Sequence, residues 1–202
     1  MRLSELEESP LVVGAGRLWH EATEVDFLSA IRDDRLPEEN FHRWLVQDYY
    51  FVRGFATCVA LGAGKTPRPA QKTLIAGLAA LDSELDWFEA NADRRGWSLD
   101  AVKHPVCQRY VDFLIAAAYQ SPFETLLTII FAVEAAYFAG WSSLAPSGPY
   151  AEFIERWSND GFAAYVCELQ HRCEQHPHDA QQRWFNEVLR HEFDFWQMTW
   201  GG

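Results

Sequence analysis

Apolar residues return every three or four positions along almost the whole chain. Segments near 15–32, 38–62, 68–95, 101–120, 122–144, 149–158, 160–176 and 178–200 all carry a period close to 3.6, which predicts amphipathic helices. Gly and Pro fall between these segments rather than inside them. Pro37-Glu38-Glu39 places Pro and acids in a first turn, and Ser121-Pro122-Phe123-Glu124 offers an N-cap, a Pro at the first helical position and an acid at the third. Asp100 is the expected cap of the fourth segment. No stretch alternates with a period of two between hairpin turns. The expected fold is all-α, a single-domain helical bundle over residues 1–202 with short loops between antiparallel neighbours. Gly62 to Pro67 is expected to be a loop. It contains Gly64-Lys65-Thr66, but a phosphate-binding loop needs Gly at position 59, which is Val.

Three of the predicted apolar faces carry an acid at their centre. In the second segment Phe41, Leu45, Asp48, Val52, Phe55 and Val59 step by four, three, four, three and four. Leu127, Ile130, Glu134, Tyr137 and Trp141 share a second face, and Phe185, Val188, Glu192, Phe195 and Thr199 a third. A carboxylate on a buried face must find a partner or take up a proton. A single such acid is ordinarily a paired core residue. Three of them, each flanked by aromatic rings, point to one shared polar pocket. Such a pocket suits a flat, nitrogen-rich ligand, with carboxylates accepting from amino groups and rings covering the faces. Trp44, Phe51, Trp141, Trp157 and Trp196 are candidate walls, although each Trp alone is more simply read as core.

Composition narrows the function classes. Of 202 residues, 49% are apolar and 23% charged, which excludes wholesale disorder. The net charge of −12, with no Lys/Arg run, argues against nucleic-acid or anionic-membrane partners. Aromatic content of 15%, with nine Trp, fits the ring-lined pocket. The N-terminus is acidic and lacks a signal-peptide pattern, and no run approaches the about 18 consecutive apolar residues of a membrane span. Cys58, Cys107, Cys167 and Cys173 form no disulfide framework. A soluble, cytoplasmic protein is expected.

At these residues the sequence resembles the TenA family, the thiaminase-II-like proteins of thiamin-pyrimidine salvage, within the haem-oxygenase-like fold. Three stretches carry the resemblance in order: Phe27 to Phe55 with Gln47-Asp48-Tyr49-Tyr50-Phe51, Tyr150 to Phe162, and Glu192-Phe193-Asp194-Phe195-Trp196-Gln197-Met198. By this resemblance Asp48 binds the aminopyrimidine ring, Glu192 gives and takes protons, and Tyr110 and Tyr137 line the pocket. The family's nucleophilic Cys is replaced by Val133, and two of its tyrosines by Phe51 and Trp157. The run Ala132 to Tyr137, together with Glu84-Leu85-Asp86-Trp87-Phe88, is similar to the Cys-less branch, TenA-E. That branch implies hydrolysis of N-formyl-4-amino-5-aminomethyl-2-methylpyrimidine to the amine, and of the amine to the 5-hydroxymethyl pyrimidine. Without a thiol, water is the nucleophile and needs a base. Glu134 and Glu192 are the expected catalytic pair. Asp48, Tyr49, Phe51, Glu84, Tyr110, Tyr137, Trp141 and Trp157 are the expected substrate-binding residues, with no cofactor and no metal. A homodimer or homotetramer follows from the resemblance, with exposed aromatics expected near Trp97, Trp200 and Gly201-Gly202.

Other readings use other residues. A di-iron oxidase on the same fold would draw on two Glu-x-x-His pairs, Glu39 with His42 and Glu168 with His171. The Cys167 to His178 stretch resembles no paired zinc pattern. A haem ligand would fall at His20. A pyrimidine-binding protein without turnover would keep the acids and need no base.

Overall fold

In a computed structural model, which describes residues 3–200, the elements follow in the order α1 (Leu3–Glu7), α2 (Pro10–Ala15), α3 (Arg17–Thr23), α4 (Asp26–Arg32), α5 (Glu38–Lys65) and α6 (Ala70–Arg95). Then come α7 (Pro105–Gln120), α8 (Phe123–Ser142), α9 (Ala151–Ser158), α10 (Asp160–Gln175) and α11 (Gln181–Trp200). A 3-10 turn, Gly148–Tyr150, precedes α9. The described residues contain no strand, so the all-α expectation holds.

The helix ends explain where the periodicity succeeds and where it misleads. Glu38 and Glu39 sit in the first turn of α5 and Lys65 in its last, the favourable arrangement for the helix dipole. α5 therefore runs on through Gly62, Ala63 and Gly64, which the sequence assigns to a loop. Lys65 is held there because its Nζ donates to the carbonyls of Ala118, Tyr119 and Ser121 at 2.5, 3.0 and 3.3 Å, closing the end of α7. The segment 15–32 is two helices, not one. Thr23 turns its hydroxyl back to the Trp19 carbonyl at 2.8 Å, Val25 is extended, and Asp26 opens α4. Two capping assignments are corrected. Ser121 ends α7 and does not cap α8, which begins after Pro122. Asp100 lies in the loop before α7, and His104 Nδ1 accepts from the Val106 amide as the true cap.

α8 is the central rod. It is buried on nearly every side, with α10 and α11 packed along it and α9 at its C-terminal end. α5 packs against α6 and α7. Gly54 makes that crossing close: a Cβ there would come within 2.5 Å of Val111 Cγ1. By length and composition α8 is apolar enough to cross a bilayer, with 83% of its apolar window buried by other helices. A search for uninterrupted apolar runs misses it because Glu134 and two Thr break the run. Trp97 and Trp200 are half-buried, and Gly201 and Gly202 lie outside the described residues.

Candidate active site

All three acid-bearing faces point inward as the spacing predicts. Asp48 on α5, Glu134 on α8 and Glu192 on α11 are 2%, 7% and 4% exposed. Around them lie three spaces that share walls. The innermost is a slot of about 10 Å³ between Asp48, Phe51, Tyr110, Tyr137, Glu192 and the rings of Phe195 and Trp196. Next to it, a slot of about 30 Å³ keeps Asp48, Phe51 and Tyr137 as walls and adds Glu84, Glu134, Trp157 and Phe162. Beyond Glu84, Glu134 and Trp157 the space widens to a chamber of about 270 Å³ that reaches the exposed Asn159 and Gly161.

Each carboxyl has a distinct setting. Tyr137 donates to Asp48 Oδ2 at 2.8 Å, and Tyr110 donates to Glu192 Oε1 at 2.6 Å. Trp157 Nε1 donates to Glu84 Oε1 at 2.6 Å, so the position occupied by Trp where the resembling family has Tyr still supplies a donor. Glu134 accepts no hydrogen bond from the described residues. Burial lifts all four carboxyls above their ordinary range, because a charge loses its water there. For Asp48 the charge of Glu84 adds to the effect and the Tyr137 hydrogen bond opposes it. Glu134 is raised further by Glu84 and Glu192. At Glu84 the Trp157 hydrogen bond and the nearby Arg156 resist the rise. Glu192 is pushed up to about 7 despite the Tyr110 hydrogen bond. Glu192 can thus exchange a proton near neutrality, and burial favours the protonated form of the other three carboxyls.

The expected binding residues separate into two groups. Phe51, Glu84, Tyr110, Tyr137 and Trp157 line the cavities together with the three stripe acids. Tyr49 does not. One residue beyond Asp48 lies about 100° round the helix, and the Tyr49 hydroxyl donates to Glu89 at 2.7 Å on the outer side. Tyr50 likewise turns away, to the Ala101 carbonyl at 2.9 Å. Trp141 is also corrected: it is fully buried behind the wall, packed against Trp157 at 4.8 Å and Tyr137 at 6.1 Å between centroids. Trp44 lies in the same rear layer, parallel to Trp196 at 6.0 Å. These rings stiffen the wall without touching the cavity.

Arg156, Phe162 and Tyr165 also line these spaces and are not assigned to the site from sequence, whereas Phe195 is on the face predicted for Glu192. Phe162 and Tyr165 continue the inward face of α10 at a spacing of three, a signal that periodicity carries. Glu84 too has an independent signal, since Gly77, Leu81, Glu84 and Phe88 step by four, three and four along α6.

The cysteines and histidines lie elsewhere. Val133 borders the middle slot, and none of the four free Cys lines any of the three spaces. Burial pushes Cys58 and Cys107 up to about 12, which leaves both as inert thiols at neutral pH. His42 bonds the Ser98 carbonyl at 2.9 Å and stacks on Trp97, while the exposed His171 meets Gln175. His20 is exposed and meets Glu24 at 2.8 Å. His178 contacts Thr128 at 3.2 Å, and Gln181 donates to the Cys173 sulfur at 3.0 Å. Among the described residues no group of three or more His, Cys, Asp or Glu is placed to hold a metal ion.

Comparison with known proteins agrees with this fold. A Glycine max protein named "Probable bifunctional TENA-E protein" is 29% identical over 205 residues, covering 91% of this chain and 89% of its own. The crystal structure of a TenA homologue from Pyrococcus furiosus superposes with a TM-score of 0.88 at 27% identity, covering 98% of this chain and 99% of that one. A TenA homologue from P. horikoshii shares the fold at a TM-score of 0.85 and 20% identity, with both chains covered in full. The TENA/THI-4/PQQC family profile matches residues 15–202, and the chain belongs to that family.

Proposed function

We propose that the chain is a hydrolase of thiamin-pyrimidine salvage that uses water, directed by carboxyl groups, in place of a cysteine nucleophile. The observation that carries this reading is the position of Glu134. Its carboxyl is unpartnered by described residues, stands beside Glu84, and faces both the middle slot and the wide chamber.

The pyrimidine ring lies in the inner slots between Phe51, Trp196 and the Tyr137 ring. Asp48 Oδ1, left over after Tyr137 takes Oδ2, accepts from the 4-amino group. Glu192 keeps Oε2 for a ring nitrogen, with Tyr110 fixing its other oxygen. This directs the 5-aminomethyl arm toward Glu84 and Glu134. Glu134 in its ionised form takes a proton from water, which attacks the arm, and the leaving nitrogen receives a proton. Burial makes a proton easy to hold on this set of acids and easy to pass on. Two such steps are assigned to this one site, release of an N-formyl group and then replacement of the amine by hydroxyl, in keeping with the name bifunctional carried by the Glycine max relative.

Mass spectrometry tests the reading directly. Purified protein is incubated separately with 4-amino-5-aminomethyl-2-methylpyrimidine, its N-formyl derivative and thiamin, with and without a chelator. Chelator-insensitive formation of the 5-hydroxymethyl pyrimidine from the amine and the formyl compound is expected. Tight binding of all three without product would overturn the hydrolase and leave a pyrimidine-binding protein.

A further inference from the structure

The outer chamber contains a group that the reaction above does not use. Tyr165 on α10 lines its wall, and its hydroxyl oxygen is buried with no hydrogen-bond partner. The ring is seated over Gly77 of α6. A Cβ on that residue would overlap Tyr165 Oη and Cζ, so the absence of a side chain at 77 lets the hydroxyl reach this depth. Glu134 is near enough for its charge to act on the Tyr165 hydroxyl. A buried hydroxyl without a partner is unfavourable, and it is relieved by an acceptor brought in by a ligand.

Of the other side-chain donors on this wall, Ser83 is exposed at the rim and three are directed elsewhere. Trp157 Nε1 is given to Glu84. Arg156 points to the Ser83 carbonyl at 3.4 Å and lies over the Trp87 ring. Asn159 Nδ2 donates to the Arg156 carbonyl at 2.5 Å, while its Oδ1 caps α10 through the Phe162 amide. Tyr165 is thus the buried donor on this wall left without an acceptor, in the chamber that Glu84 and Glu134 also line. A carbonyl group that must be attacked by water requires that pairing: a base on one side, a hydrogen-bond donor to its oxygen on the other.

We propose that the outer chamber is an acyl subsite and that Tyr165 is its specificity-determining residue, donating to the carbonyl oxygen of an N-acyl group on the aminomethyl arm. The proposal rests on the hydrolase reading and extends it to substrates. A formyl group fills little of this space of about 270 Å³, since about 10–15 Å³ of the same kind of volume already admits a water. The chamber therefore admits acyl groups longer than formyl. In the step, water deprotonated by Glu134 adds to the acyl carbon, and the charge developing on the carbonyl oxygen meets the Tyr165 hydroxyl. The C–N bond breaks with its electron pair passing to nitrogen, which takes the proton removed from water. The products are a carboxylic acid and the free aminomethylpyrimidine.

The experiment measures kcat and KM for the free amine, the N-formyl and the N-acetyl compounds with the unaltered protein, Tyr165→Phe and Gly77→Ala. The unaltered protein is expected to cleave the N-acetyl compound within about tenfold of the N-formyl one. Tyr165→Phe is expected to lower kcat/KM for both acyl compounds at least about tenfold more than for the free amine, chiefly in kcat, as for loss of one oxyanion donor. Gly77→Ala, which displaces the ring, changes the substrates in the same order. Equal losses on all three substrates, or none on the acyl compounds, would overturn the role of Tyr165. An N-acetyl rate more than about tenfold below the N-formyl rate would overturn the subsite's breadth. A protein inert toward both the amine and the N-formyl compound would overturn the underlying hydrolase reading instead.

Discussion

Glu134 and Glu192 are chemically the same residue put to different uses by their neighbours. Glu192 has a tyrosine hydroxyl fixed on one oxygen, which restricts its orientation in the innermost slot. Glu134 has no such anchor and faces the wider space. Glu134→Gln is expected to lower kcat by about 10²- to 10⁴-fold, the usual contribution of a general base, while a titration with the amine shows binding within about threefold of the unaltered protein. The raised carboxyls also affect stability. In the unfolded chain Glu192 ionises near 4.5, whereas in the fold it keeps its proton up to about 7. The folded state binds the extra proton between those values, so the stabilising contribution is complete below 4.5 and is lost as pH rises through 7. The difference corresponds to about 3 kcal/mol for this group, and Asp48, Glu84 and Glu134 act in the same direction. Thermal melts of the ligand-free protein between pH 5.5 and 8.5 are expected to fall steadily, and Glu192→Gln is expected to flatten the slope.

At the scale of elements, a period of 3.6 is enough to mark the buried faces and to place Asp48, Glu134 and Glu192 on them. The same rule accounts for the errors. Tyr49 is adjacent to Asp48 in sequence, and adjacency on a helix means a different face. Trp141 does belong to the correct face of α8, but a face says nothing about depth, and Trp141 stands behind Tyr137. Glu84 was found by resemblance although its face is regular, because Gly77 interrupts the apolar pattern. Tyr165 lies on the regular inward face of α10, but the depth its unpartnered hydroxyl reaches depends on α6 carrying Gly77 beside it, a relation between two helices that no single-helix pattern contains. Helix ends were the least legible: Lys65 extends α5 by reaching carbonyls more than fifty residues away in sequence. Close crossings are equally hidden. Gly54→Ala would press a methyl group into Val111, and a cost of about 1–3 kcal/mol is expected from such overpacking. Urea denaturation measures it.

Over the whole molecule, charge and shape select the ligand together. The chain carries a net charge of −12, and four acids surround a space with a single nearby guanidinium, Arg156, among the charges acting on them. Neutral or protonated amines suit this environment, and phosphate esters do not. The phosphate ester of the hydroxymethyl pyrimidine is expected to bind at least about 100-fold more weakly than the aminomethyl compound, since an uncompensated anion near buried acids is strongly disfavoured. Equilibrium dialysis at two salt concentrations checks this. The arrangement of narrow slots leading to a wide chamber comes from long helices. α5, α7, α8 and α11 wall the innermost slot, and α6, α9 and α10 frame the open end.

The central claim is that water itself attacks while the carboxyls manage its protons. The most direct measurement is a single turnover with enzyme in excess over the aminomethyl substrate, run in oxygen-18-labelled water and read by mass spectrometry. Direct attack by water predicts full labelling of the hydroxymethyl product in the first turnover, with the protein unlabelled. Unlabelled product in that turnover, with the label appearing in Glu134 or Glu84, would show a carboxylate acting as nucleophile and would contradict the account.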